Sequence, residues 1–195
     1  GMLFALYITV FVCAAWRLLD RRQESRMSDV VSTTFTAAYV PFLASFVVLM
    51  LAAWRNPWVF VVFELMVIAN DTGGWAAGVL FGKHPMAPAL SPKKSWEGFA
   101  GSALTAVGVG TVGLWWLGAA WWWGIIAGIS IAFVGTMGDL TESMIKRESG
   151  LKDMSQILPG HGGVLDRVDA LLMSAPVAYF IFAWALPGVS WESRH

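Results

Sequence analysis

Charged residues are scarce in this chain of 195 residues. They make up 13% of the sequence, against ~25% in typical soluble domains, whereas hydrophobic residues make up 57%. This composition excludes an ordinary soluble protein and indicates an integral membrane protein. The formal net charge is zero, so the chain has no basic surplus for binding nucleic acid, and we expect no nucleic-acid partner.

Cysteine and the common nucleotide-binding loop are also rare or absent. The single cysteine, Cys13, excludes a disulfide within the chain, and its apolar surroundings predict a buried, inert thiol. No Walker A pattern occurs, and the glycines between positions 108 and 113 lie inside an apolar segment, where they favour helix packing. Gly1-Met2 resembles a cloning remnant. The following apolar run has no small-residue cleavage site, so we expect no cleavable signal.

Six apolar segments are long enough to cross a membrane. A spanning helix needs about 20 mostly apolar residues, and the candidates are 2–19, 37–54, 57–80, 99–117, 119–138 and 168–187. We therefore predict an all-α polytopic membrane protein with six transmembrane helices in a single domain, 1–195. Residues 1–54 hold the N-terminal spans, and residues 57–187 hold the helices that carry the polar motifs. Pro41 is expected to bend the second span, and residues 70–74 to interrupt the third.

Basic residues are concentrated on one side of the predicted membrane. All thirteen lysines and arginines except Arg55 and Arg194 fall in three regions that six spans place on the same side. The positive-inside rule assigns that side, and the polar site with it, to the cytoplasm. Five tryptophans then mark the outer interface as membrane anchors, namely Trp115, Trp116, Trp121, Trp122 and Trp123.

The longest polar interval indicates a metal beside bound phosphates. Residues at the spacing of one helix face lead into it: Asp139, Glu142, Ser143 and Lys146. The stretch from Pro159 to Gly163 breaks that helix, and Asp166 and Asp169 then open a new apolar segment. Basic side chains surround these carboxylates, namely Lys146, Arg147, Lys152 and Arg167. Carboxylates with such neighbours are typical of a divalent metal that binds a phosphate substrate.

Two further polar motifs each have two interpretations. A carboxylate inside a span, such as Asp71, costs about 3 kcal/mol on insertion scales. It either lines a polar substrate cavity, which we favour because glycines follow it, or packs between helices with its polar neighbours. The stretch 91–98 is predicted to be a loop that leads into a helix. There Lys93 and Lys94 either bind phosphates, which we favour, or anchor to lipid headgroups. We treat the nearby His84 as incidental.

These motifs resemble the signature of the phosphatidate cytidylyltransferases, also called CDP-diacylglycerol synthases. The signature Ser-x-apolar-Lys-Arg, then Lys-Asp, then Pro-x-His-Gly-Gly-apolar-x-Asp-Arg-apolar-Asp runs without departure from Ser143 to Asp169. Residues 70–74 and 91–98 are also similar to the family, so the resemblance covers roughly residues 60–186. Members generally carry additional N-terminal helices, which we expect this chain to lack.

The resemblance implies transfer of a cytidylyl group from CTP to phosphatidate at the bacterial inner membrane, giving CDP-diacylglycerol and pyrophosphate for phospholipid synthesis. It implies Mg²⁺, or Mn²⁺ in its place, and further expectations are a second, monovalent cation and a homodimer. The implied metal ligands are Asp139, Asp166 and Asp169. The implied catalytic residues are these three with Lys146, Arg147 and His161. The implied substrate-binding residues are Asp71, Ser91, Lys93, Lys94, Lys152 and Arg167.

Several alternatives stay open at this point. Glu142 is as well suited to pair with Lys146 as to bind metal, and His161 is as well suited to a structural role in its turn as to contact with a phosphate. A different lipid phosphate could replace phosphatidate. The Asp-Gly-x-x-Ala-Arg core of the CDP-alcohol phosphotransferases is absent, which counts against that family. A cation transporter would explain intramembrane carboxylates, but not the basic residues beside them.

Overall fold

The computed structural model describes residues 7–8, 11–12, 15, 27–54, 56–88, 91–149 and 165–186. For residues 27–40, 92–93, 142, 145–149 and 165–170 it describes the backbone alone. The elements in this part are α1 (Met27–Trp54), α2 (Pro57–Phe81), β1 (Pro85–Ala87), β2 (Ser91–Ser95), α3 (Trp96–Trp116), α4 (Trp121–Ser149) and α5 (Leu165–Ala185). Residues 7, 8, 11, 12 and 15 are helical as well.

Within the described residues, three helices are long and apolar enough to cross a membrane. They are α2, α3 and the part of α4 from Trp121 to Thr141. Shorter apolar stretches, Pro41–Trp54 and Leu171–Ala185, lie in α1 and α5. The predicted helical membrane protein is thus confirmed in its coarse form, whereas the number of six spans stays a prediction. Most of the predicted span at 2–19 lies outside the described residues.

The predicted interruption at residues 70–74 was wrong, because α2 continues through them without a break. Hydroxyl groups of α3 stabilise this part of α2 from across the interface. Ser102 Oγ donates to the Asn70 carbonyl at 2.8 Å, and Thr105 Oγ1 donates to the Ala69 carbonyl at 2.7 Å. Helix α1 continues through Pro41, and the bend predicted there stays a prediction. Tertiary packing therefore outweighs the low helix propensity of the glycines.

The stretch 91–98 also differs from its prediction. Its first five residues form β2, which pairs antiparallel with β1 in the register Pro85–Ser95 and Ala87–Ser91. Its remaining residues form the first turn of α3, which therefore begins at Trp96 and not at the predicted residue 99. A two-stranded β-hairpin thus has to be added to the predicted all-α class.

Glycines allow α2 and α3 to approach each other closely. A Cβ on Gly101 would overlap the Cβ of Ala77 and lie 2.7 Å from the Gly73 carbonyl oxygen. A Cβ on Gly74 would overlap the Ser102 hydroxyl. Only glycine fits these positions, as at other close contacts between membrane helices. Helices α2 and α3 are antiparallel, so the hairpin that joins them lies at one end of the helical bundle.

The other end of the bundle is the turn between α3 and α4. Gly118 adopts φ 93° there, a left-handed conformation that favours glycine. The Ala119 N–H donates to the Leu114 carbonyl at 2.9 Å and closes the turn. The five tryptophans predicted as anchors flank this turn, and the Trp116 ring meets Trp58 of α2 edge-on at 5.4 Å. Their common location is confirmed, whereas their contact with lipid stays a prediction.

Candidate active site

Two motifs that are distant in sequence meet at the hairpin end of the bundle. Lys94 of β2 forms an ion pair with Asp139 of α4, through Nζ and Oδ2, across 45 residues. The two side chains are 25% and 37% exposed, so the pair is partly shielded from water yet open to a ligand. The sequence predicted a phosphate-binding lysine and a metal-binding carboxylate separately, and the structure places them in contact.

Asp139 is held on a continuous helix. The predicted span ended at residue 138, but α4 continues to Ser149, so the polar residues after it are part of the same helix. Ser143 Oγ donates to the Asp139 carbonyl at 2.8 Å and anchors this turn. The predicted helical run from Asp139 to Lys146 is therefore confirmed. The side chains of Glu142, Lys146 and Arg147 lie outside the described part.

The intramembrane Asn70-Asp71 pair lies one helical turn deeper in the bundle. Asn70 is buried, and its Nδ2 donates to Asp71 Oδ1 at 3.1 Å. The same Nδ2 would lie 3.2 Å from a Cβ on Gly135 of α4, which is four residues before Asp139. Four residues correspond to ~6 Å along a helix. Asn70 thus packs between helices, while the Asp71 side chain is exposed on α2.

Helix α5 runs antiparallel to α4. Ser174 of α5 lies beside the same glycine, with its Oγ 3.8 Å from a Cβ on Gly135. Further along α5, Tyr179 packs against Trp54, close to the tryptophan end of the bundle, with ring centroids 5.6 Å apart. The first turn of α5 therefore lies at the hairpin end.

This arrangement places the aspartates of two helices at similar heights. Gly135 of α4 and Ser174 of α5 lie at the same level of the bundle. Asp139 is four residues from Gly135 along α4, and Asp169 is five residues from Ser174 along α5, both toward the hairpin end. At 1.5 Å per residue these steps are ~6 and ~7.5 Å. Asp166 lies about one turn beyond. The backbones of the three predicted metal ligands thus share one end of the bundle.

The remaining predicted site residues are described only in part. Ser91 is half-buried at the start of β2, and Lys93 and Arg167 are described by their backbone alone. Lys152 and His161 lie outside the described residues. Among the described side chains, no three of the His, Cys, Asp or Glu type form a cluster that could hold a metal. The side chains of Asp166 and Asp169 lie outside the described part.

Sequence reasoning missed the contact between Glu97 and His84. Glu97 Oε2 accepts the backbone N–H groups of Lys83 and His84 at 3.2 and 3.3 Å. Its Oε1 lies 2.6 Å from Nδ1 of the His84 ring. From the sequence alone, His84 is interpreted as incidental. A hairpin predicted between positions 84 and 96 would have indicated this contact. The prolines and lysines in its strands are poor strand formers, so the sequence did not predict it.

The fold and the charged end together define a helical membrane protein with a polar site where its helices end. The family model described as "Cytidylyltransferase family" matches residues 2–185, and the chain belongs to this family. The resemblance inferred from the motifs is therefore confirmed.

Curated relatives are similar over most of the chain. The phosphatidate cytidylyltransferase of Mycobacterium bovis is 42% identical over 186 residues, which covers 88% of this chain and 60% of the relative. That of Mycobacterium leprae is 40% identical over 195 residues, covering 92% of this chain and 62% of the relative. That of Haemophilus influenzae is 44% identical over 125 residues, covering 60% and 43%. The chain thus spans about 60% of the length of the mycobacterial relatives it matches.

Proposed function

We propose that the chain transfers a cytidylyl group from CTP to phosphatidate, forming CDP-diacylglycerol and releasing pyrophosphate. The observation that carries this proposal is the Lys94–Asp139 ion pair, because it joins the two motif regions at one end of the bundle. The relatives named phosphatidate cytidylyltransferase support the choice of substrates. Membership of the cytidylyltransferase family favours this reaction over cation transport.

The reaction is a displacement at phosphorus. A phosphate oxygen of phosphatidate attacks the α-phosphorus of CTP, and a new phosphorus–oxygen bond forms. The bond from the α-phosphorus to the oxygen that bridges to the β-phosphate breaks, and pyrophosphate leaves. A phosphate monoester is largely dianionic at pH 7, so it needs no base to become a nucleophile. The barrier is mainly the repulsion between two anions, which positioned cations lower.

The chain supplies these cations from several segments. Lys94 is held at the bundle end, and its ammonium group is suited to bind the triphosphate as a compact point charge. We assign the same role to the other basic residues predicted for the site, Lys93, Lys146, Arg147, Lys152 and Arg167. Asp71 and Ser91 are assigned to substrate binding. His161 either orients a phosphate or stabilises its turn.

The carboxylates fit a hard divalent cation. Asp139 is partly exposed, and the backbones of Asp166 and Asp169 share its end of the bundle. Mg²⁺ and Mn²⁺ prefer carboxylate oxygens together with substrate phosphates. We propose that these three residues hold the ion, which when bound would neutralise the triphosphate and stabilise the leaving pyrophosphate. A second, monovalent cation and a homodimer are further parts of the proposal.

The hairpin end is proposed to face the cytoplasm of a bacterium, with six spans in the inner membrane. The asymmetry of lysine and arginine supports this orientation, and the tryptophan turn at the opposite end of the bundle is consistent with an outer interface. Phosphatidate has its headgroup at the membrane surface and its acyl chains in lipid. A site at the helix ends therefore suits both a lipid and a water-soluble nucleotide.

The test is lipid-dependent release of pyrophosphate. The purified chain is reconstituted into vesicles that contain phosphatidate, or into matched vesicles that contain phosphatidylglycerol, an anionic lipid without a phosphate monoester. With CTP and Mg²⁺, we expect pyrophosphate and CDP-diacylglycerol only in the first set, and neither product after addition of a chelator. Equal pyrophosphate release from both sets, or no CDP-diacylglycerol from folded protein, would contradict the proposal.

A further inference from the structure

One carboxylate ties the base of the hairpin to the first turn of α3. Glu97 accepts three hydrogen bonds, two from the backbone N–H groups of Lys83 and His84 and one from the His84 ring. A carboxylate can only accept, so Nδ1 of His84 carries the hydrogen in this contact. Hydrogen bonds to a charged acceptor are shorter and stronger than neutral ones.

Further contacts hold the same junction. The Trp96 N–H donates to the His84 carbonyl at 3.0 Å, which continues the pairing of the two strands. Ser95 Oγ accepts the Gly98 N–H at 3.1 Å and caps α3. A Cβ on Gly82 would lie 3.0 Å from this Ser95 oxygen. The residues that enter and leave the hairpin are therefore held against one another.

Lys94 lies directly beside this junction, one residue before Ser95. The pairing of β1 with β2 is irregular between Pro85 and Ala87, so Lys94 lies in a bulged part of β2, next to the Pro85–Ser95 pair. Along a strand each residue advances ~3.3 Å, so a slip of one residue at that pair would move Lys94 by about 3 Å, out of its contact with Asp139. The ion pair at the site thus depends on the strand register, which the Glu97 contacts define.

We propose that Glu97 is a positioning residue and that His84 supports it. Together they form a clamp, defined by these two side chains, that sets the hairpin register in which Lys94 reaches Asp139. The His84 side chain is 77% exposed, and ion pairs at that exposure contribute little to stability. The clamp therefore acts on geometry more than on folding. Its effect on turnover rests on the proposed function, whereas its effect on geometry does not.

Cross-linking measures the geometry without any substrate. In a Cys13→Ser background, Lys94→Cys and Asp139→Cys place a thiol pair at the contact, and a short bifunctional maleimide joins them. Adding Glu97→Ala should slow cross-linking at least about fivefold, because the released hairpin samples other positions. Glu97→Gln should lie between the two, since its amide oxygen still accepts a backbone N–H but carries no charge. His84→Ala should also slow the reaction, by less than Glu97→Ala.

Asn56→Ala is the matched control. Asn56 Oδ1 accepts the Trp58 N–H at 3.1 Å, so this variant also removes a side chain that caps a helix, but at the other end of the bundle. Its cross-linking rate should equal that of the parent. An unchanged rate in both Glu97 variants would overturn the proposal. If Glu97→Ala does not fold, unchanged cross-linking rates in Glu97→Gln and His84→Ala would overturn the proposal.

Kinetics then test whether Glu97 acts through Lys94. Glu97→Ala alone should lower kcat/KM for CTP about tenfold, but less than about twofold when added to Lys94→Met. Equal losses in both backgrounds would show an independent role and overturn the positioning claim. Absence of turnover in the parent protein, together with the expected cross-linking pattern, would count against the proposed reaction and not against the clamp.

Discussion

The two ends of the helical bundle are built from the same helices but present different chemistry. At the hairpin end, contacts between charged groups join separate elements, as in the Lys94–Asp139 pair. At the tryptophan end, aromatic rings make the contacts, with Trp58 edge-on to Trp116 and Trp122 stacked on Trp123 at 4.3 Å. Aromatic rings suit a membrane interface, whereas paired charges suit a phosphate substrate.

The helix packing, by contrast, is similar toward both ends. Gly101 permits the close approach of α3 to α2 near the hairpin, and Gly128 permits that of α4 to α3 nearer the tryptophans. A Cβ on Gly128 would lie 2.5 Å from the Val107 Cα. The scaffold is thus alike along its length and differs mainly in charge. Substitutions of charged residues at the hairpin end should therefore affect turnover, and substitutions of packing residues should affect stability.

Among the substitutions that test this difference between the two ends, Asp139→Asn should have the largest effect on turnover. The variant keeps the size of the side chain but removes the charge that a hard cation needs, so we expect turnover to fall by more than about 100-fold. Pyrophosphate release at limiting Mg²⁺ is the measurement, with Asn56→Ala at the other end as a control that stays within about twofold. Activity close to the parent level would remove Asp139 from the proposed metal site.

Lys94→Met should have the next largest effect. The loss of one charge-assisted contact is worth about 1.5–3 kcal/mol, which corresponds to roughly a 10- to 150-fold decrease in kcat/KM for CTP. The protein should remain folded, because the side chain is only partly buried. Steady-state kinetics and thermal unfolding in detergent check both expectations. Unchanged kinetics would return Lys94 to the role of a lipid-headgroup anchor.

Gly101→Ala should have a smaller effect, mainly on stability. The added methyl overlaps Ala77, and overpacking of this kind costs about 1–3 kcal/mol. Gly108→Ala on the same helix is the control, because nothing lies within 4 Å of its Cβ position. We expect thermal unfolding of Gly101→Ala several degrees below that of the parent, and no decrease for Gly108→Ala. Equal stability of both variants would show that α2 and α3 can move apart to accommodate the methyl group without a loss of stability.

The helices could be predicted from sequence where hydrophobic length decides the outcome. Five of the six predicted spans fall on the described helices α1 to α5. The predicted break at residues 70–74 was wrong because close packing against α3 keeps those glycines helical. No local propensity signal reports such a contact between helices.

The candidate site could be predicted as a set of residues but not as an arrangement. Lys94 and Asp139 were each predicted as site residues, yet no spacing rule connects residues 45 positions apart. The hairpin was missed because its strands are short and contain proline and lysine, which are poor strand formers. Glu97 and His84 stabilise it through hydrogen bonds that only the folded chain brings together.

Protection by CTP tests most directly the claim that the nucleotide binds at the hairpin end. In a Cys13→Ser background, Ser91→Cys places a thiol on the hairpin, and Ala120→Cys places one in the tryptophan turn. CTP with Mg²⁺ should slow maleimide labelling at position 91 by about fivefold or more, and leave the rate at position 120 unchanged. Equal labelling rates with and without CTP at position 91, or protection at position 120, would contradict binding at the hairpin end.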